Sequence, residues 1–431
     1  MHIKSLHLKN FRRFEDATFE FGPGFNLLVG ENGAGKSSVL DAICGTLHGI
    51  GPFPSASPSG PVFPSLTDIR KRMSHFGSST RVDMVARSIV TSVLIDDKRQ
   101  YKFEYDSAAI NLPDNPGWKE ISKYWNEYVE KLHSPETMWL VAYYPIKRNT
   151  SNTWKAALSP PALAHPDSRL ESYADWQVAT IDMIHLRNWV FLKVLRRLQE
   201  QQDSMPTKID DELYTVSAAV SECVENSSGL DYRLGEGNLI VKWDDGTSSP
   251  FDTLSDGQRG LIAMVADIAR RACLLNPHLG DKVLAETPGI ILIDELDLHL
   301  HPKWQRRIVG DLKRTFPKMQ FIATTHSPQI IGQCKREEVI IVTETGGQHP
   351  AETFGMDSNS VLRSIMGAED RDPETARLLD RLFTEIDEHK FEDARATLKT
   401  LRANHAGELY EVTEAEHTLA RFDGRHDEAA E

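Results

Sequence analysis

Eight consecutive residues, Gly30-Glu31-Asn32-Gly33-Ala34-Gly35-Lys36-Ser37, fit the pattern G-x-x-x-x-G-K-[ST]. They stand between the apolar run FNLLV and the helix-compatible run SSVLDAICGTL, the strand, loop and helix context in which such a pattern carries chemistry. Glycines let the backbone curl so that successive N–H groups converge on an anion, and the following helix adds the partial positive charge of its N-terminus. A lysine here reaches the β- and γ-phosphates of a nucleotide, and the hydroxyl after it suits Mg²⁺. The expected ATP contacts are Asn32, Gly33, Ala34, Gly35, Lys36, Ser37 and Ser38, with Ser37 also a metal ligand.

Four apolar residues, Ile290 to Ile293, lead into Asp294 and Glu295. A buried strand that ends in two carboxylates offers the first to the Mg²⁺ shell and the second to a water attacking phosphorus. By themselves these acids would read as a strand meeting solvent; the phosphate loop upstream gives them work. Leu254-Ser255-Asp256-Gly257-Gln258 is ordinary turn chemistry in isolation. His326, in ATTHS, closes a further apolar run.

In this order the motifs resemble those of ATP-binding-cassette ATPases, whose LSGGQ signature is similar to residues 254–258. The resemblance implies that His326 acts as a switch on the γ-phosphate and that the turn at Asp297 contacts an opposite subunit. It also implies that Ser255, Gly257 and Gln258 complete the site of a second copy, so that ATP closes a two-fold homodimer and hydrolysis opens it. Lys36, Glu295 and His326 are the expected catalytic set, and Ser37 with Asp294 the metal ligands.

The opening stretch IKSLHLKNFRRFEDATFEF, with the phosphate loop, looks like the N-terminal lobe of the SMC, Rad50 and RecF group, where Arg12 or Arg13 would lie near the nucleotide. LSDGQRG, the run IILIDELDLHLHPKWQRRIVGDLKRTFPKMQFIATTHSPQII and KFEDARATLKTL are together similar to the PtuA-type ATPase subunits of Septu antiphage systems. That likeness implies a sensor and scaffold that controls a separate HNH endonuclease (PtuB-like) and meets DNA through the complex. A stand-alone RecF- or Rad50-like repair ATPase is the alternative. No HNH spacing and no DxD to accompany Glu344 is present, so the chain is read as having no nuclease chemistry of its own. With no further Cys or His nearby, His299 and His301 are read not as a metal pair but as a run that the resemblance places beside the dimer-contacting turn. One departure stands out: VAYYPIKRN lacks the glutamine that cassette ATPases place after a middle strand, leaving Tyr144 or Arg148 as substitutes and implying slow hydrolysis.

Alternating helix and apolar strand calls for an α/β fold with parallel strands covered by helices, and the resemblance implies a P-loop head of the SMC and Rad50 type with a helical insertion and a C-terminal helical hairpin. The expected divisions are an N-terminal lobe over 1–110, a mainly helical arm over 111–230, a C-terminal lobe over 231–350 and a helical region over 351–431 that is a candidate partner dock. Apolar spacing of three to four places predicts a long helix over 171–201 and another over 210–225, and residues 81–105 read as one hairpin. GIGPFPSASPSGPVFPS, from Gly49, reads as a loop. Two helical faces after Asp372 form a hairpin with an apolar face too large for it to bury alone, followed by a helix from Glu408 and a fraying acidic tail.

The chain of 431 residues has 40% hydrophobic residues, which suffices for a sizeable core and excludes wholesale disorder. Its four cysteines form no CxxC pair, which argues against a zinc site or disulfide framework. No run is long enough to span a bilayer, and a cytoplasmic location is expected. With 49 Lys and Arg against 63 Asp and Glu, the net charge of -14 disfavours a protein that coats nucleic acid.

Overall fold

The computed structural model describes residues 1–50, 71–76, 79–84, 89–96, 99–106, 130, 134–146, 169–178, 183–202, 212–235, 237–367, 372–404 and 410–428. In chain order, strands β1 (His2–Phe11), β2 (Phe14–Glu20) and β3 (Phe25–Val29) lead into helix α1 (Lys36–Ile50). Strands β4 (Lys71–Phe76), β5 (Ser79–Met84), β6 (Ile89–Asp96), β7 (Arg99–Asp106) and β8 (Leu140–Tyr144) follow. Helices α2 (Met183–Gln202) and α3 (Glu212–Cys223) precede β9 (Ser227–Arg233), β10 (Asn238–Trp243) and β11 (Ser248–Pro250). Then come α4 (Asp256–Leu275), β12 (Gly289–Ile293), α5 (Ile308–Thr315), β13 (Met319–Thr324), β14 (Val339–Thr343) and β15 (Gly346–Gln348). Helices α6 (Pro373–Asp387), α7 (Phe391–Asn404) and α8 (Tyr410–Glu428) close the described chain.

Among the described residues ten strands make one sheet in the order β7-β6-β1-β2-β15-β14-β3-β13-β12-β8. The block β14-β3-β13-β12-β8 is parallel throughout, and β7-β6-β1-β2 is antiparallel. All residues of β3, β12, β13 and β8 are buried, as parallel strands covered on both faces require. Two buried amides stitch the lobes together. Gln320 on β13 accepts the Ile3 N–H at 2.8 Å and donates to the Ile3 and Gly22 carbonyls. Asn26 donates to the carbonyls of Gly22, Gly24 and Phe321 while accepting the Gly22 N–H. Each thereby adds side-chain hydrogen bonds to backbone groups held inside the core.

Several boundaries differ from the sequence reading. The hairpin expected over 81–105 begins at Ile89, because residues 79–84 pair with β4 instead. The long helix starts at Met183; before it, Arg169–Tyr173 and Trp176–Val178 are 3-10 turns, whose tighter winding still brings apolar residues round every three places. PKWQRRIVGDLKRTF, whose composition alone would read as one helix, forms the separate turn Pro302–Gln305 and α5. All but the first two residues of the loop expected from Gly49 lie outside the described residues. The cysteines are unpaired thiols, and three are buried; burial pushes the Cys223 thiol up to about 12.

The chain divides into compact units Met1–Val361 and Leu362–Glu431. In the second, Leu379, Leu382 and Ile386 of α6 pack with Ala394 and Leu401 of α7 and with Val412, Ala415 and Leu419 of α8. In this unit α8 therefore packs against the hairpin's apolar face. The acidic tail, expected to fray, continues α8 to Glu428.

Candidate nucleotide site

The parallel strands aim their C-terminal ends at one locus. Gly30 to Gly35 leave β3 with φ of 149°, 79° and 100° at Gly30, Gly33 and Gly35, left-handed conformations that glycine adopts without strain. A Cβ on Gly35 would lie 2.6 Å from the Phe14 ring, so close packing against β2 also demands glycine there. Lys36 folds back, donating to the carbonyls of Gly30 at 2.8 Å and Glu31 at 3.0 Å. Burial lowers its pKa although Asp294, Glu295 and Asp297 pull the other way, so those three carboxylates all bear on the Lys36 ammonium.

Asp294 follows β12, and its N–H donates to the Tyr144 carbonyl of β8 at 2.8 Å. Its carboxylate Oδ1 accepts from Ser37 at 3.2 Å and from Thr324 at 2.5 Å. The Thr324 hydroxyl in turn accepts the Glu295 N–H at 2.7 Å, and Glu295 sits at φ 49°. A non-glycine residue held in the left-handed region costs roughly 1–3 kcal/mol and persists where surrounding bonds fix it. Next door, Asp297 accepts from the Thr325 hydroxyl at 2.6 Å and from the His326 N–H at 3.2 Å, which ties the turn after β12 to the loop after β13. Burial, then repulsion from Lys36, lowers the His326 pKa below the ordinary 6.5 against Asp297, Glu295 and Asp294. The imidazole is thus neutral at pH 7. Thr324 and Thr325 were overlooked in the sequence; two hydroxyls ending a buried apolar strand were the available signal.

Of the two arginines of the first turn, Arg12 reaches α1 and Arg13 the loop. Arg12, at φ 47°, donates to Asp41 at 2.7 Å and Ser38 at 3.3 Å on α1. Arg13 donates to the Gly33 carbonyl and to Glu344 at 3.2 Å. Tyr144 does not face this locus: its hydroxyl donates to Asp267 on α4 at 2.9 Å, which removes it as a stand-in for the missing glutamine. Strand alternation sends Tyr143 the other way, where its hydroxyl donates to Asp41 at 3.0 Å. Arg148 lies outside the described residues.

Ser255 caps α4. Its Oγ accepts the Gln258 N–H while the Gln258 side chain accepts the Ser255 N–H, a closed capping box at an exposed helix start. Gly257 abuts the turn after β12, where a Cβ would lie 2.1 Å from the His299 carbonyl oxygen. Signature and carboxylate turn are therefore packed backbone to backbone. His301 caps the helical turn at Pro302, its Nδ1 accepting the Lys303 N–H at 3.2 Å.

Residues 5–175 match a family model described as an AAA domain, and residues 152–332 match one described as an AAA domain, putative AbiEii toxin, Type IV TA system. The chain is 27% identical to a retron Ec83 probable ATPase of Escherichia coli over 94% of this chain and 84% of that one. It is 23% identical to a Septu protein PtuA of Bacillus thuringiensis over 78% and 75%, and 36% identical to a PtuA of Bacillus mycoides over 31% and 19%. An archaeal Rad50 ATPase and a RecF protein match over 12% and 11% of the chain, at 50% and 49% identity. Among solved structures, an SMC head domain from Thermotoga maritima aligns over 81% of this chain and 99% of that one, at 14% identity and a TM-score of 0.42. The fold assignment rests on the strand order above, not on that superposition. A glycine-rich loop, a strand ending in two carboxylates and a histidine turn at the C-terminal ends of one parallel block are thus carried by a chain similar to PtuA and retron ATPases, with shorter matches to Rad50 and RecF.

Proposed function

We propose that this ATPase is the nucleotide-binding sensor and scaffold of an antiphage defence complex, and that it controls a partner HNH endonuclease through ATP-dependent dimerisation. One observation carries the mechanism: Lys36, Ser37, Asp294, Glu295 and His326 converge on one locus, while Ser255 is exposed at a helix start packed against the turn that ends it.

The donor set suits Mg²⁺, since a hydroxyl and a carboxylate oxygen 3.2 Å apart are hard oxygen ligands. Ser37 and Asp294 would hold the ion, which when bound neutralises phosphate charge. The loop N–H groups and Lys36 bind and orient the β- and γ-phosphates once Lys36 exchanges the Gly30 and Glu31 carbonyls for phosphate oxygens. Glu295, fixed through Thr324, takes a proton from the attacking water. Neutral His326 donates to the γ-phosphate. Ser255 and the N-terminus of α4 are offered to the nucleotide of a second copy, and loss of the γ-phosphate removes that shared contact. Slow turnover fits a site in which Tyr144 is committed elsewhere.

A second reading is favoured by the match covering 94% of this chain, which is to a retron ATPase: the complex would then be a retron and not a two-protein system. Affinity capture from the native host decides. An HNH nuclease recovered with the tagged chain, and plaque protection lost in Lys36→Ala, are expected. Recovery of retron components without a nuclease supports the second reading, and plaquing indifferent to Lys36→Ala contradicts both.

A further inference from the structure

Asp41 lies on α1 one turn beyond Ser37, and two elements meet on its carboxylate. Oδ2 accepts from Arg12, at the β1–β2 turn, at 2.7 Å; Oδ1 accepts from Tyr143, on β8, at 3.0 Å. The same Arg12 nitrogen reaches Ser38 at 3.3 Å. Tyr143 is only 6% exposed, and β8 is the strand whose next carbonyl, Tyr144, holds the Asp294 N–H. A chain of hydrogen bonds thus runs from the β1–β2 turn through the first turns of α1 to the strand beside the metal carboxylate. Burial, with the charges of Asp41 and Asp294, raises the Tyr143 pKa, so the phenol stays protonated and remains a donor.

We propose that Asp41 and Tyr143 are positioning residues for the metal: they fix the α1 turn carrying Ser37 against the β8–β12 edge carrying Asp294, the task for which this chain has no glutamine. The proposal rests on the nucleotide-site reading above. Neither residue is placed to touch the phosphates, whose contacts come from Lys36 and the loop N–H groups. Losing the pair should therefore loosen the ion more than the nucleotide. Outer partners of metal ligands typically change metal affinity or activity by about 10- to 100-fold when removed.

The test is ATP turnover against Mg²⁺ concentration, with ATP affinity measured separately without Mg²⁺, for Tyr143→Phe, Asp41→Asn and the double variant. The Mg²⁺ concentration for half-maximal turnover is expected to rise about 10-fold or more in each single variant, with metal-free ATP affinity within about 2-fold of the parent. Because the two residues act through one bond, the double variant should be no worse than the poorer single. A purely structural role would lower the melting temperature without moving the Mg²⁺ requirement. An unchanged requirement in both singles, or additive losses in the double, overturns the proposal. Should Tyr143→Phe fold poorly, Asp41→Asn carries the same test, since the Asp41 side chain is 33% exposed. Lys36→Ala separates the two levels: if it binds ATP like the parent, the site reading itself fails, whatever the Mg²⁺ curves show.

Discussion

At the scale of single residues the site is a set of mutually felt charges. His326 is held neutral by burial and by the Lys36 ammonium, while three carboxylates pull it back. In the nucleotide-free protein its ring is expected to titrate below 6.5, and Lys36→Ala should move the titration upward by removing the repulsion. Histidine ring resonances followed through pH report this directly; a midpoint at or above 6.5, unmoved by Lys36→Ala, would contradict the arrangement. The phosphate loop was legible in the sequence because its eight residues are contiguous and their glycines specify one backbone shape. The pairs that complete the site were not. Thr324 meets Glu295 across 29 positions and Tyr143 meets Asp41 across 102, and only the sheet register brings them together. The sequence even offered the wrong tyrosine, since adjacent strand residues face opposite ways and nothing in VAYYP says which one faces the nucleotide.

At the scale of elements, α4 is held by a buried ionic knot. Asp267 accepts from Arg270 at 2.8 Å, from Arg271 at 2.7 Å and from Tyr144 of β8 at 2.9 Å, and Arg271 also donates to the Ser172 and Ala174 carbonyls. Burial alone would raise the Asp267 carboxyl, but Arg271 and Arg270 more than offset it and hold it well below the usual carboxylate range. Breaking a buried pair strands its partner charges, so Asp267→Ala is expected to cost about 3–5 kcal/mol in urea unfolding at pH 7. The pH dependence follows from the depressed native pKa. This stabilisation is present above the unfolded pKa of about 3.9 and is lost as pH falls through the native value. Parent and variant should therefore converge on acidification, and a gap that stayed constant from pH 7 to pH 2 would show that the carboxylate is not the source. Helix existence was legible from periodicity, while helix starts were not, because the 3-10 turns before Met183 repeat apolar residues at nearly the same interval.

At the scale of the whole molecule, the parallel block of five strands places the loop, carboxylate and histidine turns side by side, and the motif order foretold that block. The C-terminal unit was less legible. Two amphipathic helices looked unfinished until a third, α8, covered them with Val412, Ala415 and Leu419. A net charge of -14 offers little general attraction to a phosphate backbone, in keeping with the proposed role of switching a partner and not with coating DNA. The switch proposed here is association of two copies, each offering Ser255 to the other's nucleotide. Sedimentation of Glu295→Gln with and without Mg²⁺ and ATP tests it most directly. ATP should double the sedimenting mass, and adding Ser255→Arg should abolish the doubling while nucleotide binding persists. A mass indifferent to ATP, or a dimer that tolerates arginine at 255, would contradict the account.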